Sequence, residues 1–118
     1  MKKQNRIKES REFNNIIKVG TMYKNKDFFI YCLPKKENNI RFGIAIGTKL
    51  GGAVVRNKLK RQIKGVIREI YNMFPNNKDY IIIGRKSITE KDYQKIKESL
   101  INIVEKVESW KRKQKLLF

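Results

Sequence analysis

Hydrophobic and polar positions along the chain recur with two periods, one near 3.6 residues and one of two residues, which predict helices and strands in turn. Residues 40–46 show the clearest strand pattern. The apolar face comprises Ile40, Phe42, Ile44 and Ile46, and the other face comprises Arg41, Gly43 and Ala45. We expect the first face to lie in the core. The second face has small side chains at its centre, which leaves room either for a ligand or for a packed helix.

Residues 54–72 follow the helical period. At about 100° per residue, the apolar side chains collect into one stripe and the polar ones into a ridge on the opposite side. The stripe comprises Val55, Leu59, Ile63, Val66, Ile67 and Ile70. The opposite side, here called the basic ridge, comprises Asn57, Lys60, Arg61, Lys64 and Arg68. Such a helix packs on a core with one face and presents cations on the other.

The segments before this helix predict a short helix and two or three strands. A basic lead-in over residues 1–9 precedes a helix with Ser10 as its N-cap and an end at Gly20. Residues 28–33 are apolar and end at a proline, which indicates a strand. Residues 47–50 are expected to add a further strand.

The segments after the long helix predict one strand and one helix. Residues 79–84 are almost uniformly apolar, which favours an interior strand over an edge strand. A final helix is expected to begin near Thr89, whose spacing to Asp92 suits a variant capping box. The predicted fold is therefore a single α+β domain over residues 1–118, with the order α-β-β-β-α-β-α and helices around a central sheet.

The charge of the chain identifies its partner class. With 29 Lys and Arg residues against 11 Asp and Glu residues, the formal net charge is +18. Glu69 is the only carboxylate between Glu37 and Asp79, so the basic ridge lacks the mixed signs that stabilise an ordinary solvated helix face. An anionic partner would neutralise this excess. Phosphates of folded nucleic acid lie close enough together to meet several such side chains at once.

The residues that most enzymes use for hydrolysis are missing or scattered. The chain has no His, which excludes a ribonuclease mechanism with paired imidazoles. Its single Cys, Cys32, allows neither an internal disulfide nor a cysteine zinc site, and is interpreted as a small strand hydrophobe. The carboxylates form no acidic cluster of the kind that a two-metal nuclease needs. No catalytic residue and no metal ligand is therefore predicted, and a self-sufficient nuclease is disfavoured.

Membrane association is also disfavoured. No segment approaches the roughly 20 apolar residues needed to span a bilayer, and no apolar signal core follows the N-terminus. A basic amphipathic membrane binder would need the apolar stripe to be free rather than buried. We expect a cytoplasmic protein without a membrane partner.

Several motifs occur in a fixed order along nearly the whole chain. They are Asn5-Arg6-Ile7-Lys8, Glu12-Phe13, Gly20, Tyr31, Arg41-Phe42-Gly43-Ile44, Lys49, Gly51, Ala53-Val54, Arg56-Asn57-Lys58-Leu59-Lys60-Arg61, and Asp79-Tyr80-Ile81-Ile82-Ile83 with Arg85. In this combination the chain resembles the protein subunit of bacterial ribonuclease P. Lys58, Gly52 and Ile17 stand where the family more often has Arg, Asn and an aromatic residue.

The resemblance implies a division of labour. In that family an RNA is the catalyst and, with Mg²⁺ held mainly by the RNA, removes the 5′ leader of precursor tRNA. The protein would assist by binding both RNAs, through a fold with a left-handed βαβ crossover. The residues implied to bind the RNA subunit are Lys49, Arg56, Asn57, Lys58, Lys60, Arg61, Lys64 and Arg68. Those implied to bind the single-stranded leader are Phe13, Ile17 and Tyr31. The main alternative is a ribosomal or ribosome-associated RNA-binding protein, since such chains are also small, basic and poor in His.

Overall fold

The computed structural model describes residues 5–117, with side chains through residue 107, so the first four residues of the basic lead-in lie outside it. Three helices and four strands follow one another in the predicted order. They are α1 (Ser10–Val19), β1 (Thr21–Lys24), β2 (Phe28–Pro34), β3 (Ile40–Ile46), α2 (Ala53–Glu69), β4 (Lys78–Gly84) and α3 (Tyr93–Leu117). Among these residues, no helix is long and apolar enough to cross a membrane.

The four strands form one mixed sheet with the order β1-β2-β4-β3. β2 is antiparallel to β1 and to β4, whereas β3 is parallel to β4. The interior position predicted for β4 from its uniform apolar run is confirmed. Because α2 joins two parallel neighbours, β3, α2 and β4 form a βαβ unit, as the resemblance implies. The left hand of the crossover stays a prediction.

The helices divide between the two faces of the sheet. α2 and α3 pack on one face and enclose the larger core, which includes Phe28, Ile30 and Cys32 from β2. α1 packs against β2 and β4 on the other face, over a smaller cluster around Ile16 and Ile81. The burial of Cys32 raises its pKa and confirms its interpretation as a core side chain.

The additional strand lies elsewhere than the sequence predicted. Residues 47–50 form no strand, since Thr48–Leu50 is a turn of 3-10 helix. The strand is instead β1, which pairs with β2 across a tight turn. In that turn the Asn25 side-chain oxygen accepts hydrogen bonds from the backbone N–H groups of Asp27 and Phe28, at 3.0 and 2.8 Å. β1 has only four residues, mostly exposed, so its own side chains give no period-two signal.

Two predicted helix caps were wrong. Glu9 rather than Ser10 occupies the N-cap position of α1, and no side chain caps that helix. Thr89 lies within a 3-10 turn before α3, and its hydroxyl donates to the carbonyl of Lys86. Asp92 caps α3 instead, accepting a hydrogen bond at 2.9 Å from the backbone N–H of Lys95. Which residue caps a helix depends on where the backbone turns from extended to helical dihedral angles, and residue spacing alone does not define that position.

Candidate nucleic-acid interface

The long basic helix α2 is divided between core and solvent largely as its sequence predicted. Its buried side chains are Leu59, Ile63, Val66 and Ile67, and Ile70 follows directly after the helix. Val55, in the first turn of α2, is an exception, because 44% of its surface is exposed. Asn57, Arg61 and Arg68 of the basic ridge are exposed, as is Lys58 beside it, while Lys60 and Lys64 are half-buried.

Within the part of the chain whose side chains are described, no carboxylate neutralises the cations of α2 that were predicted to bind RNA. Among the described side chains, no ion pair involves any of the basic residues predicted to bind the RNA subunit. The only carboxylate of α2, Glu69, lies at the far end of the helix and is already engaged by Lys97 and by the hydroxyl of Tyr93, both at 2.7 Å. The ridge is therefore a continuous positive surface that is available to an external anion.

The loop before α2 contributes one cation, Lys49, close in sequence to the N-terminus of the helix. Gly51 has a φ of 152°, and an added Cβ would lie 3.0 Å from Val55, so a larger residue would distort this turn. The carbonyl of Gly51 accepts a hydrogen bond at 3.0 Å from Nε of Arg56, which leaves this arginine half-buried and partly engaged. Lys49, in the preceding 3-10 turn, is exposed. Gly52 occupies the N-cap position, where it offers no side-chain cap.

The three residues predicted to bind the leader come together on the opposite face of the sheet. Phe13 and Ile17 of α1 and Tyr31 of β2 belong to the smaller apolar cluster, and each is half-buried. Within the described part of the chain, the Tyr31 hydroxyl has no hydrogen-bond partner. A half-exposed aromatic pair of this kind could stack on unpaired bases, which bind by their faces.

α1 covers the face of β3 whose small side chains leave space for either a ligand or a packed helix. An added Cβ on Gly43 would lie 2.9 Å from the Phe13 ring and 2.8 Å from the side chain of Ile81. The glycine therefore lets Phe13 lie directly against the strand. Of the two alternatives, a packed helix rather than an open ligand surface covers this part of the face.

An ion network that the sequence did not predict fixes α1 on the sheet. The Arg41 guanidinium bonds Asp79 through two nitrogens, at 3.1 and 2.8 Å, and also bonds Glu12 of α1 at 2.6 Å. Lys35 contacts Asp79 at 2.6 Å. Burial raises the pKa of Asp79, but the hydrogen bonds from Arg41 and Lys35 outweigh burial and keep that pKa below its ordinary value. The network links α1, which carries Phe13, to both β3 and β4.

The sequence indicated that Arg41 needs an acidic partner, but it did not identify that partner. Arg41 stands on the small-residue face of β3, where a lone cation needs a partner. Its partners are 29 and 38 residues away in sequence, so only the folded chain identifies them.

Among the described residues, no group of three His, Cys, Asp or Glu side chains could hold a metal ion.

Comparisons with known proteins agree with this architecture. The family model for ribonuclease P matches residues 1–108. The ribonuclease P protein component of Bacillus cereus strain Q1 is 40% identical over 104 residues, covering 87% of this chain and 90% of that protein. A solved Staphylococcus aureus RNase P protein, a mutant with defective mRNA degradation activity, superposes with a TM-score of 0.83 at 33% identity, covering 90% of each chain. The RNase P protein of Thermotoga maritima gives a TM-score of 0.79 at 28% identity, covering 86% of this chain and 96% of that one. The chain therefore belongs to the ribonuclease P protein family.

Proposed function

We propose that this protein is the RNA-binding subunit of a ribonuclease P holoenzyme, in which a catalytic RNA removes the 5′ leader from precursor tRNA. The observation that carries this proposal is the row of cations on α2, which form no ion pair with any described side chain, while the opposite side of the helix is buried in the core. A rigid helix with its charges free to meet phosphates suits a folded RNA, which is bound mainly through its backbone and shape.

The second surface supports the second half of the proposal. Phe13 and Tyr31 lie on the α1 side of the sheet, whereas α2 packs on the other side. Two surfaces on opposite faces can engage two RNAs at once, with the catalytic RNA on the basic ridge and a single-stranded leader on the aromatic cluster. The hydrolytic step and its Mg²⁺ are assigned to the RNA, because this chain supplies neither a histidine nor a carboxylate cluster in the described residues.

Reconstitution tests the proposal directly. The protein is mixed with the catalytic RNA of ribonuclease P, and cleavage of a precursor tRNA is measured with and without the protein at limiting Mg²⁺. We expect the protein to raise the cleavage rate and to show no cleavage in the absence of the RNA. A ribosomal RNA-binding protein would leave the rate unchanged, and a self-sufficient nuclease would cleave alone.

A triple variant tests the docking surface. Replacing Lys60, Arg61 and Lys64 with Ala should weaken binding of the catalytic RNA, since all three lie away from the buried stripe. Losing three phosphate contacts should lower the slope of log affinity against log salt by about 2 to 3, at roughly 0.7 to 0.9 per contact.

A charge-matched control variant distinguishes the loss of specific phosphate contacts from the loss of general electrostatic attraction to RNA. Lys26, Lys36 and Lys95 are exposed and lie outside α2, so replacing them with Ala removes the same net charge. This control should retain most of the affinity and of the salt slope. If the two triple variants lose equal affinity, the basic ridge is not the docking surface.

A further inference from the structure

Tyr71 is an exposed aromatic residue that belongs neither to the basic ridge nor to the smaller cluster under α1. It follows Ile70, the residue directly after α2, and begins a turn of 3-10 helix over Tyr71–Met73. Its side chain is 38% exposed, and among the described residues it is the only aromatic side chain that is neither buried nor half-buried. Exposing an aromatic ring to water is unfavourable, so a ring in this position suits a binding partner.

The ring of Tyr71 packs against a group of buried aromatic side chains. Its centroid lies 6.2 Å from that of Phe42, with an angle of 62° between the two ring planes. Phe42 in turn contacts Phe74 at 4.9 Å and Tyr80 at 5.6 Å, and these three rings are buried. Aromatic pairs prefer edge-to-face and offset arrangements such as these. The buried rings therefore favour one orientation of the exposed ring.

The backbone around Tyr71 is also held in place. The carbonyl of Ile70 accepts a hydrogen bond at 2.9 Å from the backbone N–H of Met73, and the carbonyl of Tyr71 accepts one at 3.2 Å from the backbone N–H of Phe74. The side chain of Ile70 is buried in the larger core. A contact residue that is already ordered loses less conformational entropy when its partner binds.

The surroundings of Tyr71 are positively charged on the side of α2. The exposed Arg68 of the basic ridge precedes it by three residues, and Phe42, which contacts Tyr71, lines a cavity together with Lys64. The nearest carboxylate in sequence, Glu69, already forms an ion pair and accepts a hydrogen bond. Tyr71 thus presents an aromatic ring at the end of the surface that would hold the RNA phosphates.

We propose that Tyr71 stacks on one unpaired base of the catalytic RNA while the phosphates of that RNA lie on the basic ridge. This inference rests on the proposed function. Phosphate contacts hold a folded RNA by its backbone, whereas an aromatic face binds a base that is not paired. The base belongs to the catalytic RNA rather than to the leader, because the ring group of Tyr71 is part of the larger core, on the face of the sheet opposite α1.

Equilibrium binding of the catalytic RNA over a range of salt concentrations tests this inference. Tyr71→Leu keeps an apolar cover over Phe42 and removes the aromatic face. We expect it to bind the RNA roughly 5- to 150-fold more weakly at every salt concentration, the range for one lost base stack. The slope of log affinity against log salt should stay at the wild-type value, since no phosphate contact is lost. Tyr71→Phe keeps the ring and should bind as the wild type does.

Two control variants separate stacking from charge and from packing. Lys64→Gln should weaken binding and also lower the salt slope, by about 0.7 to 0.9. Tyr23→Leu makes the same replacement at a half-buried tyrosine of β1 that packs on the larger core, and should leave binding unchanged. The inference is overturned by equal affinity of Tyr71→Leu and the wild type, by a fall in its salt slope like that of Lys64→Gln, or by an equal loss of affinity in Tyr23→Leu.

Photocrosslinking provides a second measurement that does not depend on the stability of Tyr71→Leu. With p-benzoylphenylalanine in place of Tyr71, the reconstituted holoenzyme bound to precursor tRNA should crosslink to an unpaired nucleotide of the catalytic RNA. Crosslinks only to precursor tRNA or to paired nucleotides, or no crosslink, would contradict the inference. If the wild type binds no catalytic RNA, the proposed function fails and this inference fails with it. If the wild type binds that RNA and Tyr71→Leu binds it equally well, the inference alone fails.

Discussion

Replacing Tyr31 with Ala separates a role in leader binding from a role in packing. Tyr31 is half-buried on β2, lies opposite Met22 of β1 and Ile81 of β4, and packs with Phe13 in the smaller cluster. If the exposed part of its ring stacks on an unpaired base, losing it should cost about 1 to 3 kcal/mol of binding free energy. That range corresponds to a roughly 5- to 150-fold weaker affinity.

The same substitution also removes packing. Truncating a fully buried large aromatic side chain to Ala costs about 3 to 5 kcal/mol of stability, so a half-buried ring should cost about half of that. Stability loss alone affects every ligand of the folded protein equally. The informative quantity is therefore the ratio of affinities for precursor tRNA and mature tRNA, measured with the reconstituted holoenzyme by equilibrium binding. Tyr31→Ala should lower this ratio about 5- to 150-fold, because mature tRNA has no leader.

Two variants make the comparison strict. Tyr31→Phe keeps the ring and should retain the wild-type ratio. Tyr23→Ala makes the same truncation at a half-buried tyrosine of β1 whose side chain packs on the larger core, on the other face of the sheet. It should reduce stability without changing the ratio. Equal losses for precursor and mature tRNA in Tyr31→Ala, or an equal change of ratio in Tyr23→Ala, would refute leader binding by Tyr31.

Two further predictions concern the placement of α1. Gly43→Ala should lower the free energy of unfolding by about 1 to 3 kcal/mol in urea denaturation, because its Cβ would lie 2.9 Å from the Phe13 ring. Gly47→Ala is the control and should keep its stability, because its Cβ would make only an ordinary 3.8 Å contact. An equal loss of stability in both variants would contradict the steric argument. Asp79 has a folded pKa below its ordinary value of 3.8, so its ionised form stabilises the protein above that pH and the contribution is lost as the pH falls through the folded pKa. Urea denaturation from pH 7 down to about pH 3 should therefore show a smaller acid loss of stability in Asp79→Asn than in the wild type, and parallel pH curves would exclude Asp79 as a source of acid sensitivity.

The sequence predicted those elements whose environment is uniform along their length. From Leu59 onward α2 lies on the core with one face, so its apolar stripe recurs every 3.6 residues and identifies both the buried side and the basic ridge. β4 is covered on both faces and has strands on both sides, so its apolar run was enough to place it in the sheet interior. The period-two pattern of β3 likewise identified which of its faces joins the larger core.

Elements that depend on a distant partner were not predictable in this way. β1 is too short and too exposed to show a period, and it is a strand only because β2 offers it a hydrogen-bonding edge. The Arg41 network unites residues far apart in sequence, and its geometry depends on strand register and on the face to which each side chain points.

The sequence by itself therefore determined the order of the three helices and of strands β2, β3 and β4, the interior strand, the positive charge and the helix that carries most of the predicted RNA contacts. These properties depend on composition and on periods of a few residues, which are local. Only the tertiary structure decided that α1 covers Gly43 and that Phe13, Ile17 and Tyr31 share one cluster. The physical reason is that strand pairing and helix packing bring distant residues together, and a local period carries no information about which distant residues will meet.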